Sequence, residues 1–253
     1  AVGHASGFLT VWQTTTVCPT SLSLVCDPVN LTTPTPTNPF GMHNIRGVAL
    51  LEDPAVRNAC TRQVVTGSEN GLLCVVEVPT GKVLSKTVYN TCAQRGINAI
   101  AVTGNHVAVA NCAVGANDPN FWYFAVDRSN FQPVMRSKHS LVADAARTQV
   151  FNFDVAWCLY EDAGSSKVGV LASTEEGYLW LVRLDRGSEM SVVGKQKITS
   201  PLGCAIALNS RGQLAVSAYD LYNFQLATPK AQQPSGHPNQ MTLAMLGLDS
   251  SCA

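Results

Sequence analysis

The sequence predicts an all-β chain that repeats one four-stranded unit, and three observations predict it. Helical periodicity is nearly absent. Short runs rich in Val, Leu, Ile and aromatics are instead broken at close intervals by Gly, Asn, Asp and Pro, the pattern of short strands joined by turns. A hairpin signature also recurs, clearest in VTGSENGLLCVVEV at 65–78 and LASTEEGYLWLVRL at 171–184. Both run apolar strand, small polar residues, an acidic or Asn pair, a Gly bend and a second apolar strand, then a turn carrying Gly81 or Gly187. Finally, every hairpin after the first is preceded by another apolar run. The unit is therefore strand, hairpin, outer strand.

Taken in chain order, residues 1–12 (AVGHASGFLTVW) open on a hairpin with no strand before it. Residues 14–40 are rich in Thr and Pro and predict a long, partly extended surface loop. The strand at 45–51 precedes the hairpin at 65–78, and the strand at 97–102 precedes a hairpin at 107–127 widened by Gly115-Ala116-Asn117-Asp118-Pro119. The strand at 154–160 precedes 171–184, and the strand at 203–208 precedes a hairpin at 214–226. The bend markers are Gly7, Gly71, Asn120, Gly177 and Asp220, spaced 64, 49, 57 and 43 residues apart. Blade-forming repeats recur at roughly 40–50 residues, and loop insertions lengthen that. The expectation is a β-propeller of about five four-stranded blades filling residues 1–253 as one domain.

The termini complete one another. The chain ends with Gly236-His237-Pro238-Asn239-Gln240, an apolar strand over 241–248, and Asp249-Ser250-Ser251. Read into the N-terminus, this supplies the strand that the first hairpin lacks. The ring is thus expected to close through a blade shared by both ends, with 2–5 pairing against 242–246. Closure removes the exposed edge strands through which sheets aggregate.

With Gly236-His237 before the first strand and Val11-Trp12 ending the third, this composite repeat resembles the WD40 family. The resemblance runs along the whole chain with degenerate motifs. Gln13 stands where that family places Asp, and other repeats carry Val76-Glu77, Val126-Asp127 and Arg183-Leu184. It implies structural roles for Trp12 and His237, with His237 anchoring a hydrogen-bond network of loop, strand and Trp. It also implies an interaction platform.

Composition and motifs narrow the function. Apolar residues at 46% are enough for a core, and charged residues at 13% are few. Basic and acidic residues balance at 17 each, so the clustered cation excess that binds a phosphate backbone is missing and no nucleic-acid partner is expected. No apolar run reaches the ~18 residues of a membrane span. The nine cysteines include no Cys-x-x-Cys pair, and several sit in apolar runs as small hydrophobes. Cys18 and Cys26 are the pair to watch for a disulfide in a secreted form. Neither the five histidines nor the serines show metal-site or nucleophile spacing, so no catalytic residue, metal or cofactor is expected. The acidic pairs Glu52-Asp53, Glu161-Asp162 and Glu175-Glu176 read as solvated turns rather than glycosidase carboxylates. The segment 117–120 reads as an ordinary turn, because it lacks the spacing of a calcium loop.

Propeller function sits on the loops. The face that gathers inter-blade loops and inner hairpin bends carries His4, Asn44, Arg46, Glu69, Asn70, Arg95, Asn98, Asn117 and Asp118. Asn152, Asp154, Glu175, Glu176, Tyr219 and Asp220 continue it. This polar mixture, with Arg and Tyr as anchors, fits a protein or peptide partner better than a catalytic pocket. The leading expectation is a non-enzymatic scaffold subunit of an intracellular assembly. The alternative is a secreted lectin-like propeller holding glycan on Trp122, Tyr123, Tyr178 and Tyr222, and a glycosidase-type propeller ranks third. The Asn30-Leu31-Thr32 sequon, beside Cys18 and Cys26, keeps the secreted reading open.

Overall fold

The computed structural model describes residues 1–14, 21–32, 44–51, 62–69, 71–89, 96–113, 118–198, 203–208, 213–219 and 241–247. Every regular element among them is a strand, as the turn-broken apolar runs predict. The chain divides into two compact units, Ala1–Cys112 with Trp122–Arg136 and Ala113–Phe121 with Ser137–Ala253.

The first unit opens with β1 (Val2–Gly3), β2 (Phe8–Thr10), β3 (Trp12–Thr14), β4 (Leu22–Leu24) and β5 (Val29–Asn30). β1 turns back onto β2, with Val2 opposite Thr10. β2 and β3 pair with β5 and β4, placing Leu9 opposite Val29 and Trp12 opposite Leu24. Part of the stretch expected as a Thr/Pro-rich loop is therefore strand. Its Leu22, Leu24 and Val29 supply the β-forming residues, while 15–20 and 33–40 lie outside the described residues.

Two antiparallel meanders follow. One is β6 (Ile45–Leu51), β7 (Arg62–Ser68), β8 (Leu72–Val78) and β9 (Val83–Val88), side by side in that order. The other is β10 (Ile97–Thr103), β11 (His106–Ala113), β12 (Phe121–Val126) and β13 (Pro133–His139), again in chain order.

The middle sheet shows how the first unit packs. Along β8 every residue from Leu72 to Val76 is buried, but alternate residues serve different neighbours, because strand side chains alternate between faces. Leu72, Cys74 and Val76 join Leu9, Val11, Val29 and Leu31 of the N-terminal sheet. Leu73 and Val75 join Ile97, Val107, Val109, Phe124 and Val126 of the next sheet. The β6–β9 sheet is sandwiched. Burying each such Val or Leu is worth about 1.5–3 kcal/mol. Small residues permit the close approach at the inner strands: a Cβ added at Gly47 would lie 2.9 Å from Ile100, and one at Gly67 2.8 Å from Ile97. Polar latches join the outer edges. Ser85 Oγ donates to the Phe131 carbonyl at 2.7 Å, and Lys86 Nζ to the Thr32 carbonyl at 3.2 Å.

The second unit contains the meander β14 (Val150–Asp162), β15 (Ser165–Thr174), β16 (Tyr178–Leu184) and β17 (Met190–Lys197). Its last sheet is β18 (Gly203–Leu208), β19 (Gln213–Tyr219) and β20 (Met241–Gly247). Cys158, Leu171 and Leu179 of the former pack with Ile206 and Leu214 of the latter. β20 runs antiparallel to β19 over its whole length, Gln213 opposite Gly247 and Tyr219 opposite Met241. It is the third strand of this sheet. The sequence pattern instead predicts these residues as the first strand of the N-terminal repeat. An alternating apolar strand fits either position, and the sequence pattern does not distinguish them.

Candidate partner-binding face

Two backbone devices recur among the sheets, and the β6–β9 and β14–β17 meanders carry both. The first is the hairpin bend. Gly7, Gly71 and Gly177 take φ of +85, +71 and +80°, a region that glycine enters without steric cost. Each donates its N–H to the carbonyl three residues back, on His4, Ser68 and Thr174, at 3.1, 3.0 and 2.9 Å. The second is a slip of register at the start of the inner strand. It falls between Ile45 and Gly47, Ile97 and Ala99, Asn152 and Asp154, and Gly203 and Ile206. Such bulges re-aim a side chain at the rim of a sheet. Arg46 and Asn98 occupy two of them.

In the first unit, Arg46 forms an exposed ion pair with Glu69, and the Glu69 N–H donates to the Asn44 carbonyl at 2.9 Å. The Gly96 backbone lies hard against that of Glu69, which fixes where the bend sits beside the entry to β10. His4 is exposed, with Nε2 2.9 Å from Thr10 Oγ1, and Trp12 donates its indole N–H to the same hydroxyl at 3.1 Å. Trp12 is 41% exposed, and His237, the other member of the expected network, lies outside the described residues.

In the second unit the acidic pair is not solvated. Glu175 and Glu176 are both buried. Glu176 accepts the N–H groups of Ala143 and Asp144, each at 2.8 Å, one on each carboxylate oxygen. Glu175 takes Arg147 at 2.9 Å, and the Glu176 carbonyl accepts from Lys197. Together they clamp the connection between β13 and β14 onto the bend, which corrects the solvated-turn reading of this pair. Asp154 is consumed as well. Its two oxygens accept from Val155 and from Ile206 across to β18, both at 2.9 Å. Burial raises its pKa, and those two N–H groups partly offset the rise.

Asn120, expected as a bend marker and part of an ordinary turn, is a buried hub. Its amide donates to the Leu141 carbonyl at 3.1 Å and accepts from the Leu141 N–H at 2.7 Å. Its own carbonyl accepts from Asn152 at 3.0 Å. A side chain that replaces backbone pairing leaves no periodic trace, so this role was not readable from pattern. Asp118 is half-buried just before it. Tyr219 is described only as backbone paired with Met241. Asn70, Arg95, Asn117, Asp220 and His237 lie outside the described residues.

Three of the aromatics expected as glycan platforms lie among the described residues. Tyr123 is fully buried, its hydroxyl 2.6 Å from His106 Nδ1. Trp122 packs with Tyr89 and Phe124 at ring distances of 4.9 and 6.5 Å. Tyr178 lies beneath Lys195 and Lys197, whose ammonium groups stand 5.3 and 4.7 Å from its ring centre. Tyr222 is outside the described residues. Among the described residues, no three His, Cys, Asp or Glu side chains gather where they would hold a metal ion, and no helix is long and apolar enough to cross a membrane.

No protein-family model matches the sequence, and no curated protein sequence does. Solved structures do. A protein from Lactobacillus plantarum superposes with a TM-score of 0.59 at 13% identity, over 96% of this chain and 69% of its own. The computationally designed protein Ika8 gives 0.50 at 12% identity, over 85% and 51%. The similar structures include the β-propeller domain of Cps50 (Swd1) from Myceliophteria thermophila, with a TM-score of 0.46 at 16% identity over 81% and 58%. The chain thus spans about half to two thirds of the solved chains it resembles, and at these identities the likeness is one of fold alone.

Proposed function

We propose that the protein is a propeller of the WD40 type, of about five blades closed into a ring, and that it serves as a non-catalytic scaffold for a protein or peptide partner. The observation that carries this is the recurrence of bend and bulge, found together in the β6–β9 and β14–β17 meanders and singly in the other sheets. A backbone device repeated within each unit sets polar groups at the ends of its strands, which suits docking better than it suits a single reacting centre. Among these groups the charges split. Asp154, Glu175 and Glu176 hold sheets and loops together, while Arg46, Glu69 and His4 stand at the surface, and these three form the docking contribution.

Two measurements test it. Complexes isolated from the native source should co-elute with the chain on size exclusion, and cross-links should map to residues near Arg46 and Glu69. The charge-reversed Arg46→Glu variant should then lose the partner while keeping its fold. A chain that runs alone and binds a glycan array defeats the scaffold reading. Small-angle scattering addresses the ring itself, since an open arc has a larger radius of gyration than a closed ring of equal mass.

A further inference from the structure

The sequence contains a single Asn-x-Ser/Thr triplet, Asn30-Leu31-Thr32, and the fold sets its first residue outward at the end of β5. Val29 and Leu31 on either side are buried at 8% and 1% exposure, whereas Asn30 is exposed. Strand alternation therefore turns the carboxamide away from the core that anchors its neighbours. The local geometry is equally definite. Asn30 Oδ1 accepts from both the Thr32 N–H at 2.9 Å and the Thr32 hydroxyl at 2.7 Å. Both donors fall on the oxygen, and neither engages the amide nitrogen. Asn111, Asn120 and Asn152, by contrast, have no exposed surface.

We propose that Asn30 is an acceptor for N-linked glycan, which places this chain in a secretory compartment. In the transfer, Nδ2 forms a bond to the anomeric carbon of an oligosaccharide carried on a lipid pyrophosphate. The bond from that carbon to the carrier oxygen breaks, the pyrophosphate leaves with the electron pair, and the amide yields one proton to a base of the membrane transferase. No oxidant or reductant is needed. Cys26, half of the pair expected in a secreted form, is free, and Cys18 lies outside the described residues. Cys74, Cys112 and Cys158 are free and buried, and burial pushes the Cys74 and Cys158 thiols up to about 12 and about 11, so their reactive thiolate is suppressed.

The test has two arms. Translated behind a cleavable leader into endoplasmic-reticulum microsomes, the full chain should gain one glycan that peptide N-glycosidase removes. Asn30→Gln and Thr32→Ala should lose it and Thr32→Ser should keep it, with the same far-ultraviolet circular dichroism throughout. Protein purified from its native source should yield a peptide carrying hexosamine on Asn30. Absence of the shift in microsomes that glycosylate a control protein overturns the proposal. An unmodified Asn30 in the native protein overturns it even if the microsomes glycosylate the chain.

Discussion

The bends at Gly71 and Gly177 share one backbone and lead different lives. Both glycines adopt the same left-handed turn, and the glutamate two residues earlier donates its N–H at 2.9 Å in each, to Asn44 and to Phe151. Glu69 then spends its side chain on an exposed pair with Arg46. Glu175 pairs with Arg147 from a buried position, and the next residue, Glu176, is buried too and takes two backbone N–H groups of a distant loop. The second bend has the 140–149 connection seated on it, and burial there makes its two acids a clamp.

The comparison can be broken most forcefully at the backbone. Gly96→Val should cost about 3 kcal/mol, because the new side chain meets the Glu69 backbone and one of the two segments must move, as in an overpacked core. Urea denaturation followed by circular dichroism measures it. Glu176→Ala comes next, at about 2–3 kcal/mol, since a charged acceptor of two N–H groups is lost. Limited proteolysis should then cut within 140–149 before anywhere else in the second unit. Glu69→Ala should change stability by no more than about 0.5 kcal/mol, as expected of an exposed ion pair. If Glu69→Ala and Glu176→Ala cost the same, the two bends do not differ as described.

A smaller effect is read in pH. The folded state holds the Asp154 proton more tightly than the unfolded chain does, because burial raises its pKa. Its contribution to stability is therefore complete below the ordinary carboxylate pKa and declines as pH rises through the raised value. Asp154→Asn should flatten that decline in a series of thermal melts from acid to neutral pH. An unchanged slope removes Asp154 as its source.

Much of the fold was legible because bends and strands are local. The glycines at 7, 71 and 177 and the inner strands beginning at Ile45, Ile97 and Gly203 follow from turn chemistry and apolar runs alone. The site was less legible, because its chemistry is decided by partners far along the chain. Nothing near Glu176 in sequence announces that Ala143 and Asp144 will reach it, so an acidic pair in a turn reads as solvated. The partner of β20 was hidden for a related reason: an alternating apolar strand suits either of two sheets, and only three-dimensional packing chooses.

The unbroken burial of β8 has a consequence for how the chain finds its alignment. Where one face of a strand meets water, polar residues mark which side is which, and sliding by one residue exposes the core set. Leu72 to Val76 carry no such mark. A slide by one would exchange Leu73 and Val75 for Leu72, Cys74 and Val76 at little hydrophobic cost. Alignment must therefore be counted from the ends, where the left-handed glycine and the repeated bulge act as stops. In this molecule the rim is also the ruler.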